Sequence, residues 1–480
     1  MNPKHWKWIE KARNLDRQNK RHEAIPAYRR FLELEPGDAG GWVDFGGLLM
    51  VMGELEEAQQ ACERALRIDG LNLGAMVNLG CVLTHRGQLV EAEGYFRRVL
   101  VRDPRQLDAR MALAECLFKK PDLDGARSEL NKLIQLDPGH ASAHQLLGQL
   151  FFGRGMWSEF QEEIQRYREL DPDSGYVEYE RGFLSLLFGD LPHGWPLYEA
   201  RLKVPGLVGP ERHFTQPQWK GESFVGRTLL LHFEQGYGDT LMFIRFAPLV
   251  KALGGRVILE AQAPLADLVA TCQGVDVVIP HGAPTPPFDL QLSLLSLPGV
   301  FNTGLESIPA EIPYLDIPTW VPNRIKIAQV LSESNDKIRI GLVWAGNPTH
   351  KNDGVRSIPP GVLTPLAALS GVAWHSFQLG VKEEAPLPSI ANLGPLISNF
   401  SDTAYALSGM DLVITVDTAL AHLAGALGIP VFLLVPFSPD WRWMLGRSDS
   451  PWYPTMRILR QPNPGNWEAV IQQVIQGLAE

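Results

Sequence analysis

A 34-residue period runs through the first part of this chain and constrains its fold more than any other feature. Small residues recur at Ala24, Ala58, Ala92 and Ala126, each 34 after the last. A second column at the same step is Pro36, Gly70, Pro104, Pro138 and Pro172, preceded by Glu35, Asp69, Asp103, Asp137 and Asp171. A third is Gly46, Gly80, Ala114, Gly148 and Gly182, and a fourth is Gly53, Gly87, Pro121, Gly155 and Gly189. Such periodicity is the mark of a stacked repeat. Small residues in mid-helix let paired helices approach closely. Glycine in the fourth column suits a tight turn within each repeat. The acidic–proline pair is expected to end one repeat and begin the next, because proline cannot continue a helix but starts one well. The period degrades after Pro172. Gly194 still stands in the small-residue column, but Trp195-Pro196-Leu197-Tyr198 is unlike the earlier units, and a terminal capping pair is expected there.

This helix-turn-helix pattern resembles tetratricopeptide repeats, most closely in Gly53-Glu54-Leu55-Glu56-Glu57-Ala58 and Ala65-Leu66-Arg67-Ile68-Asp69. Stacked repeats form a superhelix with a concave groove suited to peptide or protein. The alternative is that the array serves only as a spacer or for homo-oligomerisation.

From Val204 to Phe224 the period stops, and Pro205, Gly206, Gly209, Pro210 and Pro217 break any helix. Apolar strands then alternate with helices. Strands are expected at Thr228–Phe233, Arg256–Glu260 and Val275–Ile279, with a helix from about Thr240 to Leu253. Proline-rich segments (Pro284 to Pro287, Pro309 to Pro322) lead to a second such unit, which opens at Ile338–Trp344. Its further strands are expected near Val372–Leu379, Asp411–Val416 and Val431–Val435. Alternation of this kind implies parallel, doubly wound sheets, with a ligand crevice beyond the strands' carboxyl ends. The resulting division is a repeat array with capping helices over 1–203, a linker over 204–226, and two Rossmann-like domains over 227–320 and 321–480.

Composition narrows the function classes. Among 480 residues the formal net charge is −10, so no global pull toward nucleic acid or an anionic membrane is expected. The four cysteines form no C-x-x-C pair and no metal-ligand grouping with histidine. The N-terminus lacks the apolar core of a signal peptide, and no run approaches the ~18 apolar residues of a membrane span. A cytoplasmic location is expected.

The strongest local signal is the segment Leu412 to Pro430. An apolar strand ends at Asp417 and an alanine-rich helix follows at once. The helix N-terminus and the Thr418 hydroxyl can hold phosphate, Ala419 keeps the approach open, and His422 lies one turn in. On this segment alone, a capped helix with a core histidine is an equal alternative.

The segment resembles the donor-site signature of the bacterial heptosyltransferases, glycosyltransferase family 9. Gly236-Tyr237-Gly238-Asp239-Thr240-Leu241 is similar to that family's first Gly-Asp loop, with Gly236 and Gly238 in the loop. Trp344-Ala345-Gly346-Asn347, followed by Lys351 and Arg356, is similar to the loop after the second domain's first strand. Gln378 occupies the place of an acidic residue near the donor nucleotide. The resemblance covers about Gly226 to Leu478. With the repeats, the whole resembles repeat-fused bacterial protein glycosyltransferases, including flagellin-modifying ones. It implies an all-α repeat superhelix followed by an α/β GT-B fold of two Rossmann-like domains. It implies that Asp239 is the general base on an acceptor hydroxyl. Asp417, Thr418, Ala419 and His422 would hold the diphosphate and sugar of a nucleotide-sugar donor, and Asn347, Lys351 and Arg356 would neutralise the leaving phosphate. Gln378 in place of a carboxylate points to a nucleotide or sugar other than ADP-heptose. The implied partners are a protein acceptor in the repeat groove and the nucleotide-sugar, with no metal or other cofactor, no nucleic acid and no membrane span.

Two rivals stand beside this reading. Gly236-x-Gly238-x-x-Leu241 with Glu260 ending the next strand faintly matches a dinucleotide fingerprint, but leucine replaces the third small residue. The other is a repeat scaffold whose transferase-like domain binds without catalysing.

Overall fold

The computed structural model describes residues 3–210, 212–334, 336–348, 350, 353–380 and 386–479. The chain divides into two compact units, Met1–Pro172 and Asp173–Glu480.

The first unit is helical throughout, from Pro3–Arg17 to Trp157–Leu170. The acidic column supplies the C-cap residue of every second helix: Glu35, Asp69, Asp103, Asp137 and Asp171. The proline column stops helices but does not start them. The next helices begin three residues later, at Ala39, Leu73, Leu107 and Ala141, behind N-caps such as Asp38 and Asn72 whose side chains accept the Gly41 and Ala75 N–H groups. Proline therefore sits in the turn, where its missing N–H is harmless. Its carbonyl is met by the side chain six residues on: Trp42 to Pro36 at 3.0 Å, Arg110 to Pro104 at 2.6 Å, His144 to Pro138 at 3.2 Å. The third column is small because the helices touch there. A Cβ on Gly80 would stand 2.6 Å from the Phe96 ring. In the turn column Gly53 and Gly87 hold φ near +80°, at 82° and 76°.

The second unit contains two parallel sheets. In the first, β1 (Thr228–His232), β2 (Arg256–Ala261), β3 (Val277–Pro280) and β4 (Leu290–Ser293) lie in the order β3-β2-β1-β4. In the second, β5 (Ile338–Val343), β6 (Val372–Ser376), β7 (Ala391–Asn392), β8 (Leu412–Val416), β9 (Val431–Val435) and β10 (Met456–Arg460) lie in the order β10-β9-β8-β5-β6-β7. The chain order of the second sheet is that of a dinucleotide-binding Rossmann fold, and its topological switch point falls between β5 and β8. Both sheets carry helices, as parallel strands require. The architecture is the helical repeat followed by a GT-B-like α/β fold.

The helix expected from Thr240 to Leu253 differs. It starts at Tyr237, runs to Phe243, tightens through Ile244–Phe246 and resumes over Ala247–Ala252. Pro248 lies in the first turn of that last piece, where its missing N–H is tolerated, but it donates nothing back to the preceding helix.

The helix pair Gly175–Leu187 and Leu191–Tyr198 packs within the second unit. Trp195 donates its indole N–H to Thr303 at 2.8 Å and meets Trp441 edge-on, 5.3 Å between ring centres. Just beyond the pair, Arg201 is wholly buried. It bonds Glu234 at 2.6 Å and Ser296 at 2.8 Å, while Ser293 donates to Glu234 at 2.6 Å. No helix among the described residues is long and apolar enough to cross a membrane.

Candidate active site

β1 ends at His232, and the chain turns through Glu234 and Gln235 into the Tyr237–Phe243 helix, with Gly236 as its N-cap. Asp239, the third helical residue, accepts the Gly236 N–H at 2.9 Å. Its other oxygen is ion-paired with Arg442, which comes from the segment between β9 and β10. Asp239 is half-buried. Burial pushes its pKa up, opposed by Arg442 and the Gly236 N–H and reinforced by Asp440 and Glu234.

Across from this loop, β8 ends at Val416 and Thr418 caps the Ala419–Ala426 helix. Thr418 makes no side-chain capping bond; its hydroxyl stands 3.3 Å from that of Thr415. The free N-terminal N–H groups carry the positive end of the helix dipole. Gly238 faces this helix closely: a Cβ there would lie 2.7 Å from His422 Cδ2 and 3.6 Å from Ala419 Cα. The Gly-Asp loop of one α/β half and the Asp417–His422 segment of the other thus line one crevice, at the carboxyl ends of β1 and β8.

His422 is buried, with Nδ1 2.9 Å from the Tyr453 hydroxyl and its ring stacked on Trp443 at 5.2 Å. Burial, with Arg442 and Arg245 nearby, pushes its pKa well down, so the ring is a neutral imidazole. Burial and the neighbouring Asp440 push Asp417 up to about 6, against the pull of Trp443, Arg356 and Arg442.

Arg356 reaches the same strand end, donating to the Asp417 carbonyl at 3.1 Å, with Asp353 3.3 Å from its Nε. It lies over Gly346, where a Cβ would stand 2.5 Å from the guanidinium. Gln378 is bonded to the backbone of the loop after β5. Its Oε1 accepts the N–H groups of Trp344 at 3.2 Å and Ala345 at 3.0 Å, and its Nε2 donates to the Ala345 carbonyl at 3.0 Å. Both ends of the amide pin the loop after β5; a carboxylate could not donate to that carbonyl. Asn347 is exposed in this loop, and its carbonyl accepts the His350 N–H at 2.9 Å. Lys351 lies outside the described residues. Glu260, the acidic residue of the dinucleotide rival, is taken up by Arg212 and by His281 at 2.7 Å. Among the described residues, no group of three or more His, Cys, Asp or Glu side chains is placed to hold a metal ion.

Sequence reasoning missed Arg442, Asp440, Trp443 and Tyr453. The run Asp440-Trp441-Arg442-Trp443 carries a signal: charged residues alternating with tryptophans beyond a strand's carboxyl end, where ligands of such sheets bind.

Comparison with known proteins bears on both units. Tetratricopeptide repeat models match residues 9–72 and 83–150, and the model described as Glycosyltransferase family 9 (heptosyltransferase) matches residues 384–460. That last match contains Asp417 through His422 and Arg442; the Asp239 loop lies outside it. Protein FlbA of Caulobacter vibrioides is 25% identical over 338 residues, covering 64% of this chain and 56% of the relative. The chain therefore spans just over half the length of the curated relative it matches. Among solved structures, YrrB, a TPR protein with an unusual peptide-binding site, is 26% identical with a TM-score of 0.30, covering 36% of this chain and 90% of its own. PilW, a type IV pilus biogenesis factor, is 17% identical with a TM-score of 0.38, covering 42% and 93%.

Proposed function

We propose, for a chain that carries tetratricopeptide repeats ahead of a glycosyltransferase family 9 domain, that it transfers a sugar from a nucleotide-diphosphate donor to a hydroxyl of a protein held by the repeats. The observation that carries this reading is the close approach of Gly238 to Ala419 and His422. It brings a carboxylate of raised pKa to the same crevice as an uncapped helix N-terminus.

In this mechanism Asp239 takes the proton of the acceptor hydroxyl as that oxygen forms a bond to the sugar's anomeric carbon. The bond from that carbon to the diphosphate breaks, and the electron pair leaves with the nucleoside diphosphate. The N–H groups at Ala419 and Leu420 and the Arg356 guanidinium meet the developing charge; one well-aimed donor of this kind is worth roughly 10²–10³ in rate. Lys351 and Asn347 would add to that charge. Asp417, Thr418 and the neutral His422 would hold the sugar and diphosphate by hydrogen bonds. Gln378 would act on the donor through the loop it pins. The transfer proceeds without a divalent metal, in the cytoplasm.

The test is stabilisation of the full chain by UDP-, GDP- and ADP-sugars in thermal unfolding, followed by release of the nucleoside diphosphate with and without excess chelator. We expect one donor class to stabilise the chain and its turnover to survive chelation. Binding without release in the presence of acceptor protein would leave a scaffold that only binds; no stabilisation by any nucleotide-sugar would end the reading. Substituting Arg64 and Arg67, which line a cavity of about 290 Å³ in the repeats with Trp42 and Phe45, should raise KM for the protein acceptor. Donor hydrolysis should be unchanged.

A further inference from the structure

Arg442 is set in the molecule in a way that the transfer chemistry above does not use. It is 7% exposed, and its guanidinium lies 4.4 Å over the Trp441 ring. One terminal nitrogen bonds Asp440 at 2.8 Å and the other is paired with Asp239 in the opposite α/β half. Its Nε is buried with no hydrogen-bond partner. A buried guanidinium that leaves one donor unsatisfied is held by what its other donors do, because an orphaned N–H is costly to bury. Here they grip two carboxylates in a fixed fork, a geometry that lysine cannot reproduce.

We propose that Arg442 is a positioning residue for Asp239, aiming its carboxylate into the crevice and keeping it ionised from across the two halves. The groups facing Asp239 account for this. From its own element come the Gly236 N–H at 2.9 Å and, just upstream, Glu234, itself paired with Arg201. From the Ala419–Ala426 helix comes His422, which touches Gly238 and carries no charge. From the segment after β9 come Asp440 and Arg442. Arg442 is thus the cation in contact with a carboxylate that has burial and two further carboxylates against its ionised form. Without it the proton affinity of Asp239 must rise. The proposal rests on the glycosyl-transfer reading only for what Asp239 does with its proton.

The experiment separates the two. In the full chain labelled with ¹³Cγ-aspartate, the Asp239 signal is identified by its loss in Asp239→Asn. In Arg442→Gln we expect its titration midpoint to rise by one pH unit or more, a tenfold change in proton affinity, and in Arg442→Lys by less. An unmoved midpoint in folded Arg442→Gln overturns the proposal. If that variant does not fold, as near-UV circular dichroism would show, Arg442→Lys decides the matter in the same titration. With a nucleotide-sugar that the parent turns over, the acid limb of the kcat profile should move upward in Arg442→Lys while KM for that nucleotide-sugar stays within threefold. A raised KM with an unmoved limb would make Arg442 a donor contact and overturn the positioning role. A parent chain that turns over no nucleotide-sugar ends the transfer reading, and the titration still decides for or against Arg442.

Discussion

Replacing Gly238 by alanine adds one methyl group at a close approach between the two α/β halves. The backbone itself would accept the change, since Gly238 is absent from the positive-φ positions and lies in the first turn of a helix. Alanine would there gain roughly 0.5–1 kcal/mol of helix propensity. Against this, the new Cβ would meet His422 Cδ2 at 2.7 Å and Nε2 at 3.3 Å. His422 has nowhere to go: it is buried, stacked on Trp443 and bonded to Tyr453. Overpacking of this kind costs about 1–3 kcal/mol, so the clash outweighs the propensity gain by about 1–2 kcal/mol. If the halves part to relieve it, that energy is lost where Asp239 must meet the donor, a fall of roughly 5- to 30-fold in kcat/KM. Gly236→Ala is the matched control. A Cβ at Gly236 meets only Asp239 Oδ2, at an ordinary 3.5 Å, and φ there is −71°. The assay is donor turnover for both variants, with chemical unfolding of each. Parent-like turnover and stability in Gly238→Ala, or equal damage from Gly236→Ala, would refute the argument from close approach.

Asp239→Asn should reduce transfer about 10²–10⁴-fold, the usual loss for a general base, while calorimetry shows donor affinity retained; equal loss of donor affinity would show that Asp239 belongs to the donor site. Arg201→Met should destabilise the second unit by about 3–5 kcal/mol in denaturant unfolding, because Glu234 is left buried without its cation; a change under 1 kcal/mol would refute that. Asp417, held up to about 6 in the folded chain, takes a proton at a pH where the unfolded chain, with a pKa of about 3.9, is still ionised. Its contribution to stability is present below about pH 4 and is lost as pH rises through 6. Asp417→Asn should therefore lose less stability than the parent between pH 4.5 and 7, and parallel curves would rule the assignment out.

The repeats were legible because their contacts are local. Ala58, Gly80 and Asp103 act on helices one or two elements away, so a 34-residue step records packing directly in the chain. Strands β1, β5, β8 and β9 were legible as apolar runs buried on both faces. The short β4 (Leu-Gln-Leu-Ser) and β10, with arginines at Arg457 and Arg460 on an outer strand, were not, since no apolar run marks them. Proline's place in the repeat turn also escaped, because helix propensity says where proline is tolerated but not which residue caps the helix.

Within the site, each loop that follows a strand could be read alone: Gly236 to Asp239, Trp344 to Asn347, Asp417 to His422. What no single loop contains is its partner. Asp239 meets Arg442 across 203 residues, and Arg201 meets Glu234 across 33. Gln378, whose position alone pointed at a nucleotide, closes on the backbone of Ala345. Local pattern determined the helices, the strands and the residues able to bind phosphate or accept a proton, because those depend on near neighbours in the chain. Which carboxylate faces which cation, and hence which proton each one holds, was decided only when sheet order brought two strand ends to one crevice, since charge interactions depend on distance in space and on the water that burial removes.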